Sequence, residues 1–473
     1  MNIAYLIANR GFFPSSVIEQ AHSDIRNAFA RANVSGVTIP ADATRYGAVE
    51  TTDDGMVFAN FLARNRGQYD GLVICLPNFG DENGIKAAIQ DCEVPILLQA
   101  YPDELEKLDF EHRRDAFCGK FALTSVLTQM GKAYSAFTPF VAAPSSSDFD
   151  IQLRKFIGVC RVVKRMRRLR IGAVGARTTA FKSVRYDECA LERHGIDVET
   201  YDLSSLLARF RKISENNPEA ARWLDELHET ASFENVPAQR DMVMARFAAA
   251  LDAHIRENCL DAVAVRCWSE LQQELGITPC AVMGILNHRG IPAVCEMDVT
   301  NAIAMLGLSL ATEIPAGCMD LNNNYGNEAD KCILFHCGPL PLELMQGTGV
   351  IQQHKMLSKT YGEGCSWGLN VGRMRQGTVT MASVRTDSGE LQFYAASGEV
   401  TADTLPASFF GSYGVVQKPG LQDTLASISR QGFRHHVAVT MGDAGDVLTE
   451  AFTNYLGYRR VCVEAAGLAG AFR

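Results

Sequence analysis

The sequence predicts an α/β protein in which two Rossmann-like, parallel-sheet α/β domains precede a mostly antiparallel, barrel-like β domain at the C-terminal end. Short apolar runs alternate with helical patterns through the first third of the chain, and the same alternation restarts at Leu169. Beyond about residue 340 it gives way to β-branched and aromatic runs separated by turn signals. The expected domains are 1–165, 166–340 and 341–473.

In the first domain IAYLIA (3–8), VTIP (37–40), GLVICL (71–76) and VPILLQA (94–100) read as strands, with helices over 17–33 and 55–66. The loop after the first strand, Ala8-Asn9-Arg10-Gly11-Phe12-Phe13-Pro14, lacks the GxGxxG turn that cradles a pyrophosphate, so no dinucleotide site is supported. Ala142-Ala143-Pro144-Ser145-Ser146-Ser147 reads as a linker. The second domain opens on LRIGAVG and continues through IDVETYDL (196–203), a helical block (204–257) and the strands DAVAVRCW (261–268) and IPAVCEMD (291–298). Gly175-Ala176-Arg177 is either a plain strand-to-helix loop or an anion site; Arg177, Lys182 and Arg185 beyond it either solvate a helix or recognise an anionic group. In the third domain GTVTMAS (377–383), ELQFYA (390–395) and Glu399–Thr401 read as antiparallel strands, with turns at 386–389 and at Ser397-Gly398. HHVAVTMGD (435–443), a helix over 445–456 and the strand RRVCVE (459–464) complete the pattern.

A chain of 473 residues, 47% hydrophobic and 21% charged, can bury large cores. Its net charge of -9 excludes a nucleic-acid partner, which needs a basic face. The basic run Lys164–Arg170 reads as a solvated helix end, a subunit contact or an anion attractor. Fourteen cysteines without a CxxC pair read as small buried thiols of a reducing compartment. With neither a signal-like N-terminus nor an 18-residue apolar run, the expectation is a soluble cytoplasmic protein with no membrane partner.

The chemistry-bearing residues are Glu296 in CEMDV, Asp320 in GCMDL, His336 in LFHCG and His436 in FRHHVAVTMGD, each at or just past the end of an apolar strand-like run. Carboxylates and imidazoles are the donors a divalent metal accepts. Taken alone, each carboxylate reads first as a strand-end group capping a helix, and His336 as a satisfied core histidine. Strand alternation turns His435 away from His436 and puts Asp298 on the face of Glu296, where it can orient a ligand. Glu270 is either a substrate contact or a helix N-terminal carboxylate, and Trp268 either a sugar-stacking wall or a core aromatic. The glycine-rich loop Tyr361–Trp367 is a candidate lid.

CEMDVTNAIAML, GCMDL, ILFHCG and GFRHHVAVTMGD, in this order, resemble the L-fucose isomerase and L-arabinose isomerase superfamily, in its fucose-isomerase-like subgroup, best over about residues 260–445. The resemblance implies an intramolecular oxidoreductase: a metal-dependent aldose–ketose isomerase working through a metal-stabilised cis-enediolate. It implies Glu296 and Asp320 as acid/base pair and metal ligands, with Asp320 lying 24 residues after Glu296, and His436 as a further ligand. By the arabinose-type pattern His336 is a fourth ligand or supports one. Mn²⁺ is the implied cofactor, with Mg²⁺, Co²⁺ or Fe²⁺ as substitutes. The implied assembly is a homo-oligomer, trimer or hexamer, with active sites near subunit interfaces. Asn322-Asn323-Asn324 differ from both named isomerases, which leaves the small-molecule sugar open: L-fucose or D-arabinose, L-arabinose, or a sulfonated hexose such as sulfoquinovose, whose charge Arg177, Lys182 and Arg185 would neutralise. The readings from other classes are a non-catalytic sugar-binding protein on the same scaffold and a metal lyase or epimerase.

Overall fold

The first apolar runs form four parallel strands, β1 (Asn2–Ile7), β2 (Ser35–Val37), β3 (Gly71–Leu76) and β4 (Ile96–Ala100), in the order β2-β1-β3-β4. Every residue of β3 is buried, as a strand covered on both faces requires. The computed structural model describes residues 1–386 and 389–463, and its contacts divide the chain into two units, Met1–Lys164 and Arg165–Arg473. The expected linker at 142–147 runs straight into the helix Ser147–Met166. Phe156 and Cys160 of that helix fill the space a side chain at Gly71 would need, so it packs against β3 and belongs to the N-terminal unit. The basic run at its end is ion-paired: Lys164 with Asp70 (2.7 Å), Arg165 with Asp261, and Arg170 with Asp197 (3.8 Å).

The helices Thr52–Arg64 and Glu82–Ile89 cross at Gly55 and Gly84. A Cβ on Gly84 would lie 2.7 Å from the Thr51 carbonyl oxygen, and one on Gly55 would overlap the Gly84 carbonyl. Backbone therefore packs on backbone there, which no larger residue permits.

The second unit begins with a parallel sheet of β5 (Leu169–Val174), β6 (Ile196–Tyr201), β8 (Ala262–Val265) and β9 (Ala293–Val294), ordered β6-β5-β8-β9, while the short β7 (Ala231–Ser232) joins another sheet. Its last two strands are much shorter than the runs DAVAVRCW and IPAVCEMD suggest. After β9 the backbone becomes left-handed at Glu296 (φ 59°) and Met297 (φ 65°), and Asp298 then caps the helix Val299–Thr312 through the Asn301 N–H (3.0 Å). That helix, VTNAIAMLGLSLAT, is apolar on nearly every side because it is buried between β5, β8 and β9 on one side and β14 and β17 on the other.

The remaining strands are β10 (Gly317–Asn324), β11 (Lys331–His336), β12 (Gly349–Gln353), β13 (Trp367–Arg373), β14 (Gly377–Arg385), β15 (Gln392–Val400), β16 (Ser412–Gln417), β17 (His436–Met441) and β18 (Arg459–Arg460). Six of them close a ring, β15-β14-β17-β10-β11-β16 and back to β15, with every neighbour antiparallel. Met319, Leu334, Val379, Met381, Val416, Val437 and Val439 belong to its core. Ser397-Gly398, expected as a turn, lies inside the uninterrupted β15. A Cβ on Gly398 would come within 2.8 Å of Val416 and 3.1 Å of the Gln417 carbonyl, so the glycine marks where β15 closes onto β16. Of the other expected turn, Asp387 and Ser388 lie outside the described residues, as does Glu464 of RRVCVE. Since β10 and β11 precede residue 340 and pair with β16 and β17 beyond it, the chain forms one unit across the expected boundary. No helix among the described residues is long and apolar enough to cross a membrane.

Replacing Gly55 with alanine is expected to destabilise the protein by about 1–3 kcal/mol, read as a lowered denaturant midpoint. An unchanged midpoint would contradict the backbone-on-backbone crossing.

Candidate active site

The pairing of β10 with β17 sets Asp320 directly opposite His436, which brings a carboxylate and an imidazole from 116 residues apart onto neighbouring strands. The left-handed turn after β9 sends Glu296 to the same point. Nε2 of His436 lies 2.9 Å from Oε2 of Glu296 and 3.5 Å from Oδ1 of Asp320. Left-handed backbone at two successive non-glycine residues costs about 1–3 kcal/mol each and is retained where position matters.

Behind these groups stands a second carboxylate. Asp298 is fully buried and accepts from Nε of Arg434 (2.5 Å), Nη2 of Arg434 (2.7 Å), the Thr300 hydroxyl (3.1 Å) and Nδ1 of His436 (2.9 Å). The expectation that Asp298 shares the face of Glu296 rested on strand alternation. The chain leaves the strand before Glu296, so the two acids approach opposite nitrogens of the His436 ring. Arg434, which the sequence did not single out, neutralises the buried carboxylate and also donates to the Val384 carbonyl (2.8 Å).

These partners set the charges. Burial pulls the His436 pKa down, but the hydrogen bond to Asp298 and the Glu296 carboxylate beside the ring outweigh it and raise it to about 10. Burial raises the Glu296 pKa, and His436 beside it, helped by His336 and Trp268, brings it down to about 2. Burial likewise works against the Asp298 charge, and Arg434 with His436 holds its pKa far below the usual carboxylate range.

Glu296, Asp320 and His436 open into a cavity of about 400 Å³ that Trp268, His336, His354, His435 and Phe181 also line. Trp268 donates from Nε1 to Oε1 of Glu296 (3.2 Å), orienting the carboxylate. His435 falls just ahead of β17, so strand alternation does not govern it: ligand atoms of Asp320, His435 and His436 lie within 4.8 Å of one another. Its pKa is lowered by burial and then by His436, which leaves a neutral ring. His336 closes β11, and its Nδ1 accepts from the Cys337 N–H (2.8 Å).

The other candidates are not drawn into this cluster. Glu270 forms an ion pair with Arg266 and caps its own helix by accepting from the Ser269 N–H (3.1 Å); it is absent from the residues that line the cavity. Arg177 spends Nη1 on the carbonyls of Thr178, Thr179 and Phe181, which pins the loop that carries Phe181 against the two adjacent histidines. Lys182 and Arg185 are exposed. A larger hollow of about 580 Å³ in the N-terminal unit, lined by Tyr5, His22, Arg26 and Tyr46 among others, has Glu19 as its one carboxylate among the described residues and lacks such a convergence of acids and imidazoles.

Oε2 of Glu296, Oδ1 of Asp320 and Nε2 of His336 are buried without an aligned hydrogen-bond partner, although His436 stands close to the first two. Buried polar atoms are rarely left so, and three converging on one cavity mark a place for a ligand.

The shifts make metal-free stability pH-dependent in a stated direction. The contribution of charged His436 is complete below its unfolded pKa of 6.5 and is lost as pH rises through about 10. That of Glu296 is complete above 4.5 and is lost as pH falls toward about 2. Denaturation of chelator-treated protein across pH 6.5 to about 10 should show the alkaline loss, and His436→Asn should flatten it; equal slopes would contradict the assigned charge.

Comparison with known proteins gives this geometry its family. Residues 4–167 match the fucose/sulfoquinovose isomerase N-terminal domain and residues 334–463 the L-fucose isomerase C-terminal domain. The sulfoquinovose isomerase of Alkalicoccus urumqiensis is 24% identical over 387 residues, covering 80% of this chain and 83% of that protein. Those of Priestia aryabhattai (65% and 67% covered) and Clostridium sp. strain MSTE9 (71% and 74% covered) are also 24% identical. Matched at both ends to the paired domains of one family, the chain belongs to the fucose isomerase family as a fucose-isomerase-like protein.

Proposed function

We propose that this aldose–ketose isomerase is metal-dependent and acts on a sulfonated hexose, sulfoquinovose or a close analogue. The convergence of Glu296 Oε2, Asp320 Oδ1 and His436 Nε2, two of them buried without an aligned partner, carries the metal part of the reading. The names of the relatives support the substrate class.

Glu296, Asp320 and His436 would hold the ion, with His435 within reach of the same point. Hard oxygens with one or two imidazoles suit Mn²⁺, and Mg²⁺, Co²⁺ or Fe²⁺ as substitutes. Such an ion supplies Lewis-acid polarisation of the sugar's carbonyl and adjacent hydroxyl oxygens. The chain's own groups move the protons. Conversion of an aldose to a ketose takes a proton from C2 and returns one to C1, while the hydroxyl proton at O2 is lost and one is gained at O1. Glu296, oriented by Trp268, is the base for the carbon-bound proton; Asp320 serves the oxygens. Asp298 and Arg434 keep His436 turned with Nε2 toward the site.

His336 takes a different part from the ligand role implied by the arabinose-type resemblance. Nδ1 of His336 accepts a hydrogen bond, which places the ring proton on Nε2, so His336 presents an N–H donor to a sugar oxygen. No lysine or arginine is among the described residues that line the cavity, so within this unit the sulfonate would meet neutral donors such as Asn322, an exposed cavity-lining side chain. A cytoplasmic location and a trimeric or hexameric assembly belong to the same reading.

Chelator-stripped enzyme should recover activity with Mn²⁺ and prefer sulfoquinovose to glucose by about 100-fold or more in kcat/KM. Glu296→Gln should lower kcat by about 10²–10⁴. His336→Gln should lose about tenfold in kcat/KM while keeping its metal affinity. A glucose preference would overturn the substrate, turnover without metal the cofactor, and metal loss in His336→Gln the donor role.

A further inference from the structure

The N-terminal unit holds a hollow of about 580 Å³, larger than the active-site cavity, to which the isomerase chemistry assigns no role. One wall is a face of the helix Val17–Arg31, where Glu19, His22 and Arg26 follow one another at intervals of three and four residues. Tyr5 of β1, itself buried, and the segment from Thr38 to Tyr46 supply most of the remaining lining.

The polar groups of this lining are left open to a ligand. Glu19 and Arg26 stand two helical turns apart, about 10 Å along the axis, so opposite charges sit at separate ends of the hollow, too distant to pair with each other. Among the described residues neither has an ion-pair partner elsewhere. Oγ1 of Thr38 is buried without a hydrogen-bond partner, which native proteins seldom leave unexplained. His22 donates from Nε2 to the Tyr46 carbonyl (3.2 Å), which leaves Nδ1 as an acceptor. Burial lowers the pKa of that ring and favours its neutral form.

We propose that this hollow binds a hexose carrying an anionic group at C6, a sulfonate or a phosphate. The Arg26 guanidinium takes the anionic end through charge-assisted hydrogen bonds. The spacing to Glu19 matches the length of such a sugar with a hydrogen bond at either end, so the carboxylate accepts from the hydroxyls remote from C6. Nδ1 of His22 accepts from another hydroxyl, and the Thr38 hydroxyl gains the partner it lacks. Tyr5 and His22 meet edge to face, with ring centroids 5.8 Å apart, and Ile39 beside them offers an apolar surface to the C–H face of the sugar. Arg26 is the one lysine or arginine among the described residues of the lining. A single cation suits one anionic group, whereas the phosphate chain of a nucleotide calls for several. The site consists of residues of the N-terminal unit alone and does not depend on how the active-site cavity is read.

The test is hydrogen–deuterium exchange of metal-loaded, full-length protein with glucose 6-phosphate, sulfoquinovose or glucose, followed by titration of the same probes into Arg26→Gln and Thr38→Val. The expected result is protection of peptides covering residues 15–26 and 38–46 by at least one of the two anionic sugars, and which of them protects identifies the anionic group. Arg26→Gln should bind that sugar about tenfold or more weakly, and Thr38→Val should bind it several-fold more weakly. Absence of protection by both anionic sugars, equal protection by glucose, or unchanged affinity in Arg26→Gln would overturn the proposal. The exchange map of the unsubstituted protein decides the matter even if a variant does not fold, and protection confined to the active-site peptides also counts against it.

Discussion

The buried carboxylate of Asp298 is the constraint on which the site depends. It accepts from Arg434, His436, Thr300 and the backbone of its own helix, so one side chain ties the N-terminus of the central helix to the start of β17. Removing one member of such a buried pair costs about 3–5 kcal/mol, because the other is left charged and unpaired. The arrangement therefore resists partial loosening, and it delivers His436 in one ring orientation to a point that Glu296 and Asp320 reach from two other elements.

Much of this was legible in the residue pattern, where the pattern had a physical basis. The restart at Leu169 is a buried parallel strand, and the β-branched runs after residue 340 contribute to a closed antiparallel barrel. The convergence of Glu296, Asp320 and His436 followed from strand ends and ordered motifs. What failed to show were features that depend on departures from regularity. Alternation assigned Asp298 and His435 by parity, yet one lies past a left-handed turn and the other ahead of its strand. Ser397-Gly398 carried a turn's composition, but the glycine answers to a close approach across the barrel. Arg434 reaches Asp298 only in three dimensions, and no spacing in the sequence could have revealed it.

The cavity's electrostatics bear on the substrate. It presents carboxylates and imidazoles and no lysine or arginine among its described lining residues, while Arg177 is committed to its own loop. A sulfonated sugar would therefore be oriented chiefly at its reacting end, by the groups that handle C1 and C2, and its anionic end would meet hydrogen-bond donors at the rim. Such an arrangement separates the chemistry at C1 and C2 from recognition of the anionic end.

The most direct test of the central claim is the Mn²⁺ affinity of Asp298→Asn, measured by chelator competition on protein shown by circular dichroism to be folded. Asparagine preserves the shape but weakens the hold on Nδ1 of His436. The account predicts affinity weaker by about 10–100-fold. Affinity equal to that of the wild type would contradict the claim that Asp298 sets the ligand geometry of the site.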